Sequence, residues 1–120
     1  MGSSVVKEEE RVCKPVDWGT TKNLFGPVNG GAQYLQVGIT EFAPGAEHGL
    51  HRHPDQEEVI YVLDGEGISR SDEGDKPIRA GDFVFIPANA EHATINTRKD
   101  KPLKNLTIKS PPTKSPPTKK

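Results

Sequence analysis

Two histidines and a glutamate near the middle of the chain offer the ligand types of a transition-metal site. His51 and His53 are two residues apart, so in an extended segment both imidazoles project from the same face. Glu58 follows at the start of a stretch with strand-like alternation. Imidazole suits Fe, Ni, Cu and Zn, and a carboxylate adds negative charge. These residues predict a site for a divalent transition-metal ion.

The surrounding segments have the pattern of short β-strands separated by turns. Glycines in Pro-Gly, Asp-Gly, Glu-Gly and Ala-Gly steps stand where one β-type run stops and another begins. We found no run with a convincing helical period. Strands are predicted at 33–42, 57–63, 67–71, 82–87, 92–96 and 102–108. Several strands in so short a chain indicate an all-β sandwich or closed barrel, which also removes exposed strand edges.

Two stretches resemble the sequence motifs of the cupin family. The first motif is matched by Gly45, His51, His53, Glu58 and Gly65, and the second by Gly81, Pro87, Asn89, His92 and Asn96. Asn89 replaces the glycine that is usual at its position, but asparagine tolerates the left-handed conformation better than most residues. The resemblance implies a cupin-type double-stranded β-helix, a jelly-roll barrel formed by a single domain.

The resemblance also implies a ligand set. It places His51, His53, Glu58 and His92 inside the barrel around one divalent transition metal per chain: Fe, Mn, Ni, Cu or Zn. The six-residue gap between Glu58 and Gly65 matches the first motif, so Glu58 is favoured over the adjacent Glu57 as the ligand. The alternative is a degenerate cupin that binds no metal.

The function implied by the resemblance is that of a metal-dependent cupin acting on a small carbonyl, enol or hydroxy-acid substrate, as a dioxygenase or an isomerase. A non-catalytic protein that binds a sugar or small carboxylate through the metal is the alternative, and a purely structural metal is a third. No catalytic residue is assigned, because no nucleophile or acid-base pair has a distinctive spacing. Glu57, His48 and Tyr34 are the candidate bases.

Other polar and apolar residues near the motifs have two interpretations. His48, Asp55 and Glu91 are either solvated loop residues or partners of the metal ligands. A second group either lines a small pocket or fills the barrel: Tyr34, Gln36, Ile60, Val62 and Thr94.

The two ends of the chain differ from its centre. Residues 1–15 are predicted to form a charged N-terminal arm or an edge strand, residues 16–109 the barrel, and residues 110–120 a disordered Pro- and Lys-rich tail containing SPPTK twice. No targeting segment or apolar run long enough to span a bilayer is visible, so a soluble cytoplasmic protein is expected.

Charge and cysteine content restrict the partners. The net charge of -1 gives no reason to expect nucleic acid or a membrane as a partner. The single cysteine, Cys13, cannot form an internal disulfide and suits a reducing compartment. A small-molecule ligand is expected, and the resemblance implies a homodimer.

Overall fold

The computed structural model of this chain describes residues 2–113 and 118–119, which form strands and one short 3₁₀ helix, Glu8–Glu10. In these residues there is no helix long and apolar enough to cross a membrane. The strands are β1 (Lys14–Val16), β2 (Gly19–Phe25), β3 (Gln36–Phe42), β4 (Glu47–Arg52), β5 (Glu57–Asp64), β6 (Glu66–Ser71), β7 (Gly74–Arg79), β8 (Phe83–Ile86), β9 (His92–Asn96), β10 (Leu103–Ser110) and β11 (Thr118–Lys119).

The strands form two antiparallel sheets. One sheet has the order β1-β2-β3-β10-β5-β8, and the other has the order β11-β4-β9-β6-β7. From β3 to β10 the chain alternates between the sheets, apart from the β6-β7 hairpin within one of them. This winding is the double-stranded β-helix, so the predicted jelly-roll fold is confirmed.

All six predicted strands are present, with ends shifted by up to three residues. Five further strands, β1, β2, β4, β7 and β11, were not among these six predictions. The sequence of β7 includes Pro77 and is otherwise mostly polar, and β2 shows little apolar alternation. Both exist because a neighbouring strand supplies backbone hydrogen bonds: β3 pairs with β2, and β6 pairs with β7.

The apolar core fills one end of the barrel. Phe42, Val62, Ile78 and Leu103 are all buried and in mutual contact, with Trp18 and Val84 packed against them. Across β10 the register pairs Leu103 with Phe42 at this end, and Lys109 with Glu58 at the opposite end. The polar motif residues therefore lie at the end of the barrel that the apolar core leaves open.

Positive φ angles occur where the motifs require tight turns. Gly65, between β5 and β6, has φ of 96°. A Cβ atom there would lie 2.7 Å from the carbonyl oxygen of Pro102. Among residues 2–113, Asn89 is the non-glycine residue with positive φ, at 63°, as expected for asparagine in place of the motif glycine.

Both terminal segments contact the barrel. In the N-terminal segment Glu8 forms ion pairs with Lys22 and Lys104, and the guanidinium of Arg11 donates to the Leu24 carbonyl. At the other end β10 runs to Ser110, and Gln56 donates to the Pro111 carbonyl at 2.8 Å. Short strand β11 pairs with β4 beside His51. The tail prediction for residues 114–117 and 120 falls outside the described residues.

Replacing Gly65 with alanine tests the close contact between Gly65, the last residue of the first motif, and the backbone of Pro102. The Gly65→Ala variant must adopt an unfavourable φ and also displace backbone, so we expect a loss of about 2–4 kcal/mol in unfolding free energy. Gly74→Ala is the matched control, because Gly74 has φ of 102° but open space around its Cβ position. Its loss should be about 1 kcal/mol. Urea denaturation followed by circular dichroism measures both, and equal losses would contradict the steric argument.

Candidate metal centre

The motif histidines and Glu58 come from both sheets. His51 on β4 is paired directly with His92 on β9 in one sheet, whereas Glu58 begins β5 in the other. His53 follows β4, and its carbonyl accepts hydrogen bonds from the backbone of Gln56 and, at 2.9 Å, of Asn89. The Asn89 bond ties the two sequence motifs together at the site.

An irregularity in β4 brings a fourth histidine to the same wall. The pairing of β4 with β9 advances three residues from His48 to His51 while β9 advances two, from Thr94 to His92. This extra residue is a β-bulge, which allows His48 and His51 to face the same side. Their rings stack with centroids 4.1 Å apart. The Trp18 ring also stacks on His48, with centroids 4.8 Å apart. Trp18, His48 and His51 thus form a stack of three rings that restrains the imidazole of His51.

The three motif histidines converge. Their potential ligand atoms lie within 4.8 Å of one another, and all three residues are buried. Ligands bound at about 2.1 Å on opposite sides of an ion are separated by about 4.2 Å, so small side-chain rotations suffice to close the group. The arrangement is suited to holding a metal ion.

Backbone carbonyls orient two of the imidazoles. Nδ1 of His51 lies 2.7 Å from the Gly49 oxygen, and Nδ1 of His92 lies 3.0 Å from the Ala90 oxygen. A carbonyl only accepts, so we assign the hydrogen to Nδ1 in both rings. Each Nε2 then presents a lone pair to the centre, which is the arrangement that a metal-binding histidine requires.

Glu58 adds a buried carboxylate to this group. Its Oε1 lies 3.4 Å from Nε2 of His92 and 3.8 Å from Nε2 of His53. Neither contact has the geometry of a hydrogen bond, and Oε1 is buried without a partner among the described residues. Lone pairs facing one another away from water are unfavourable unless a cation lies between them. The donor set therefore fits a divalent transition metal.

Burial and local charges shift the pKa values of the ligand side chains towards the protonation states that bind a cation. Burial, together with a smaller effect of the positive charge of Lys109, lowers the pKa of His53 to about 4. Burial likewise lowers the pKa of His51, although the Gly49 carbonyl opposes this. Burial by itself would raise the pKa of Glu58, but the positive charge of Lys109 helps to hold it below its usual value. Two neutral imidazoles and an ionised carboxylate are thus favoured near neutral pH.

A cavity of about 120 Å³ adjoins these residues. Trp18, Phe42 and Ile60 form apolar parts of its wall, and the histidines form another. Thr94 also lines it, so the prediction that Ile60 and Thr94 reach the pocket agrees with the structure.

Other predicted pocket residues lie elsewhere. Tyr34 is 80% exposed, and Val62 is part of the apolar core. Gln36 uses its side-chain oxygen to accept a hydrogen bond from Thr113. The period-two pattern placed Gln36 and Val62 on the strand faces that carry the metal-site residues. It does not show how far along the barrel axis each residue lies.

Of the three candidate bases, His48 alone lines the cavity. Glu57 and Tyr34 are exposed. Of the remaining polar candidates, Asp55 is exposed, and Glu91 lies 3.7 Å from the Arg52 guanidinium in an ion pair.

Three polar residues of β10 were missed. Asn105, Thr107 and Lys109 face the cavity at alternate positions, opposite the histidines. Period two in KNLTIK was the available signal, because it puts these three residues on one face. Burial of that face could not be predicted, since its residues are polar.

The family model for the cupin domain matches residues 38–109. The chain belongs to the cupin family. The oxalate-binding protein of Thermotoga maritima is 41% identical over 54 residues, which cover 45% of each chain, so the match spans less than half of that relative. An uncharacterized Methanocaldococcus jannaschii protein is 32% identical over 113 residues, 90% of this chain and 88% of the other.

Solved structures agree with this membership. The crystal structure of a predicted oxalate decarboxylase from Thermotoga maritima superposes on this cupin with a TM-score of 0.78 at 25% identity, covering 89% of this chain and 98% of that one.

The lowered histidine pKa values predict how the metal-free cupin responds to acid. Between pH 6.5 and about 4, the unfolded chain binds more protons at His53 than the folded one, so unfolding free energy falls as pH falls. His51 acts in the same direction, and the lowered pKa of Glu58 adds a further loss below about 4.5. Calorimetry after chelator treatment should show the melting temperature dropping by several degrees across this range. His53→Gln should give a shallower slope, and a flat parent profile would contradict the argument.

Proposed function

We propose that His51, His53, Glu58 and His92 bind one divalent transition-metal ion, and that this cupin uses it to bind and activate a small carbonyl, enol or hydroxy-acid compound. The observation that carries the proposal is the set of Nε2 lone pairs facing the buried, unpartnered Oε1 of Glu58. Such an ion would supply Lewis-acid or redox chemistry, according to its identity.

The residues of the chain divide the remaining work. The His48 and Trp18 rings hold His51, and the carbonyls of Gly49 and Ala90 fix the two tautomers. Apolar walls from Phe42 and Ile60 limit water near the site and strengthen its electrostatic interactions. His48 is the one cavity-lining imidazole outside the ligand set, which makes it the candidate to accept or return a substrate proton.

Two classes of function remain distinct proposals. An enzyme, as a dioxygenase or an isomerase, requires a ligand position open to substrate and turnover of that substrate. A non-catalytic binder requires the same open position but leaves its ligand unchanged. Similarity to an oxalate-binding protein supports a small carboxylate as ligand in either case. The cavity of about 120 Å³ is well below the roughly 300 Å³ of an ordinary small-molecule pocket, which favours a small acid over a sugar.

Metal analysis tests the ligand set. Purified parent protein should carry about one transition-metal ion per chain by elemental mass spectrometry, and His51→Ala/His92→Ala should carry none. Glu58→Gln should weaken metal affinity by roughly tenfold or more, because it removes the charged ligand. Glu57→Gln is the matched control, since its exposed neighbouring carboxylate should not affect metal content.

The outcome separates the functions. Iron or copper in the parent would call for oxygen-uptake assays, and Mn, Ni or Zn for isomerase assays with small hydroxy acids. A bound acid recovered unchanged would favour the binder. A parent that stays metal-free after reconstitution with each metal would refute the proposal.

We further propose that the cupin is a homodimer that uses the outer face of the six-stranded sheet. Apolar side chains form two cross-strand rows on β8, β5, β10 and β3. The rows are Phe85-Val59-Ile108-Val37 and Phe83-Tyr61-Leu106, and the second row ends at Ile39, which is itself buried. Phe83 and Phe85 are 73% and 59% exposed, and Tyr61 packs on Phe83 at 4.4 Å.

The size of this face fits a second copy. With about 200 Å² per large side chain, the exposed parts of Phe83, Phe85, Leu63 and Ile108 come to roughly 400 Å². A standard interface buries about 800 Å² per partner, a little over half of it apolar. The exposed apolar area is close to what one copy contributes to such an interface.

Light scattering after size exclusion tests the dimer. The parent should elute with twice the chain mass, and Phe83→Ser/Phe85→Ser should weaken dimerisation by about a hundredfold or more by removing central aromatic contacts. Val28→Ser is the control, because Val28 is 88% exposed in a loop outside the face. A monomeric parent, or a double variant that dimerises as the parent does, would contradict the interface.

A cytoplasmic location is also proposed. Cys13 is exposed and free, which is compatible with a reducing compartment.

A further inference from the structure

The wall of the cavity opposite the histidines is a row of polar side chains on β10. Asn105, Thr107 and Lys109 alternate with the outward-facing Leu106 and Ile108. Lys109 is paired across the sheet with Glu58, so it lies next to the proposed metal centre. Asn105 is paired with Thr40 on one side and Val62 on the other, nearer the apolar core. The row runs from the metal centre to the base of the cavity.

Asn105 is buried without hydrogen-bond partners. It is 1% exposed, yet neither its amide nitrogen nor its amide oxygen is bonded within the described part of the chain. The hydroxyl of Thr40, its cross-strand neighbour and also a cavity residue, is unpartnered as well. Burying a polar group without a partner destabilises the folded protein. Side chains held in this state at a cavity wall are typical of a surface that pairs with a ligand.

Lys109 supplies a positive charge to the same cavity. Among residues 2–113 it forms no ion pair with a carboxylate, although its charge acts on His51, His53 and Glu58. The lysines of β10 differ in this respect, because Lys104 faces outward and pairs with Glu8 at 3.0 Å. An unpaired ammonium group at a cavity wall favours an anionic ligand.

We propose that Lys109 and Asn105 form the substrate-recognition wall of this cupin, and that its substrate is a small carboxylate with a second polar group. The carboxylate lies beside Lys109 and the metal centre, and the second group lies against Asn105 and Thr40. The inference rests on the proposed function, since it names the substrate class of the same site.

Charge and size both support this class. A divalent ion with Glu58 leaves one net positive charge, and Lys109 adds a second, so the loaded site is complementary to a monoanion or dianion. The cavity of about 120 Å³ corresponds to roughly four water molecules at about 30 Å³ each. That volume suits an acid of a few carbons.

Titration calorimetry with chosen acids tests the wall. Metal-loaded parent and variants are titrated with glycolate, glyoxylate and malonate, and with glycolamide as the uncharged match to glycolate. Metal content is measured on every sample. The parent should bind at least one acid and bind glycolamide more weakly than glycolate. Lys109→Met should lose at least tenfold in affinity for that acid while retaining its metal. Lys104→Met, which removes an outward charge from the same strand, should bind as the parent does.

Asn105→Leu gives an independent readout. Leucine keeps the branched shape but removes both unpartnered atoms, so the melting temperature should stay the same or rise. Affinity for the acid should fall severalfold. A purely structural role for Asn105 would give the opposite result, with a lower melting temperature and unchanged affinity.

The possible outcomes distinguish the two proposals. A metal-loaded parent that binds none of the acids, or a metal-loaded Lys109→Met that binds them as tightly as the parent, overturns the recognition wall and leaves the metal centre standing. If the parent takes up no metal, the proposed function fails. The same titrations of metal-free protein then test the recognition wall separately. The wall is supported if Lys109→Met abolishes acid binding. It is overturned if the parent binds no acid or if the variant binds the acid equally well.

Discussion

The burial of three imidazoles and a carboxylate in contact with one another is the constraint on which this structure depends. Glu58 Oε1 faces Nε2 of His92 at 3.4 Å, and the carbonyls of Gly49 and Ala90 orient the rings so that lone pairs meet. Such a group is unfavourable in a low-dielectric interior unless it holds a cation. The barrel therefore has to separate its stable apolar core from this polar end.

That separation is made along single strands. On β5 the inward residues change from Glu58 to Ile60 and Val62, and on β10 they change from Lys109 and Thr107 to Leu103. Each strand thus contributes one residue to the apolar cluster and others to the site. The cost of burying polar groups at one end is offset by close packing at the other.

The two sheets have different roles around the cavity. The β4-β9 pair provides the imidazoles and their supporting carbonyls, whereas β10 and β5 provide charged and amide groups opposite them. A ligand held between these walls would contact both sheets. The outer face of the six-stranded sheet is apolar across four strands, which gives the same sheet a proposed role in pairing with a second copy.

The sequence by itself determined the fold family, six of the strands and the metal-ligand candidates, because motif spacing and period two are local properties of the chain. It also correctly anticipated the left-handed conformation of Asn89. The tertiary structure decided the rest. A bulge in β4 turned His48 to the side of His51, although a spacing of three puts residues on opposite faces of a regular strand. Pairing with β5 and β3 buried Asn105 and brought Lys109 to Glu58 across 51 positions of sequence. Local pattern cannot reveal such contacts, since they depend on which strands become neighbours when the barrel closes.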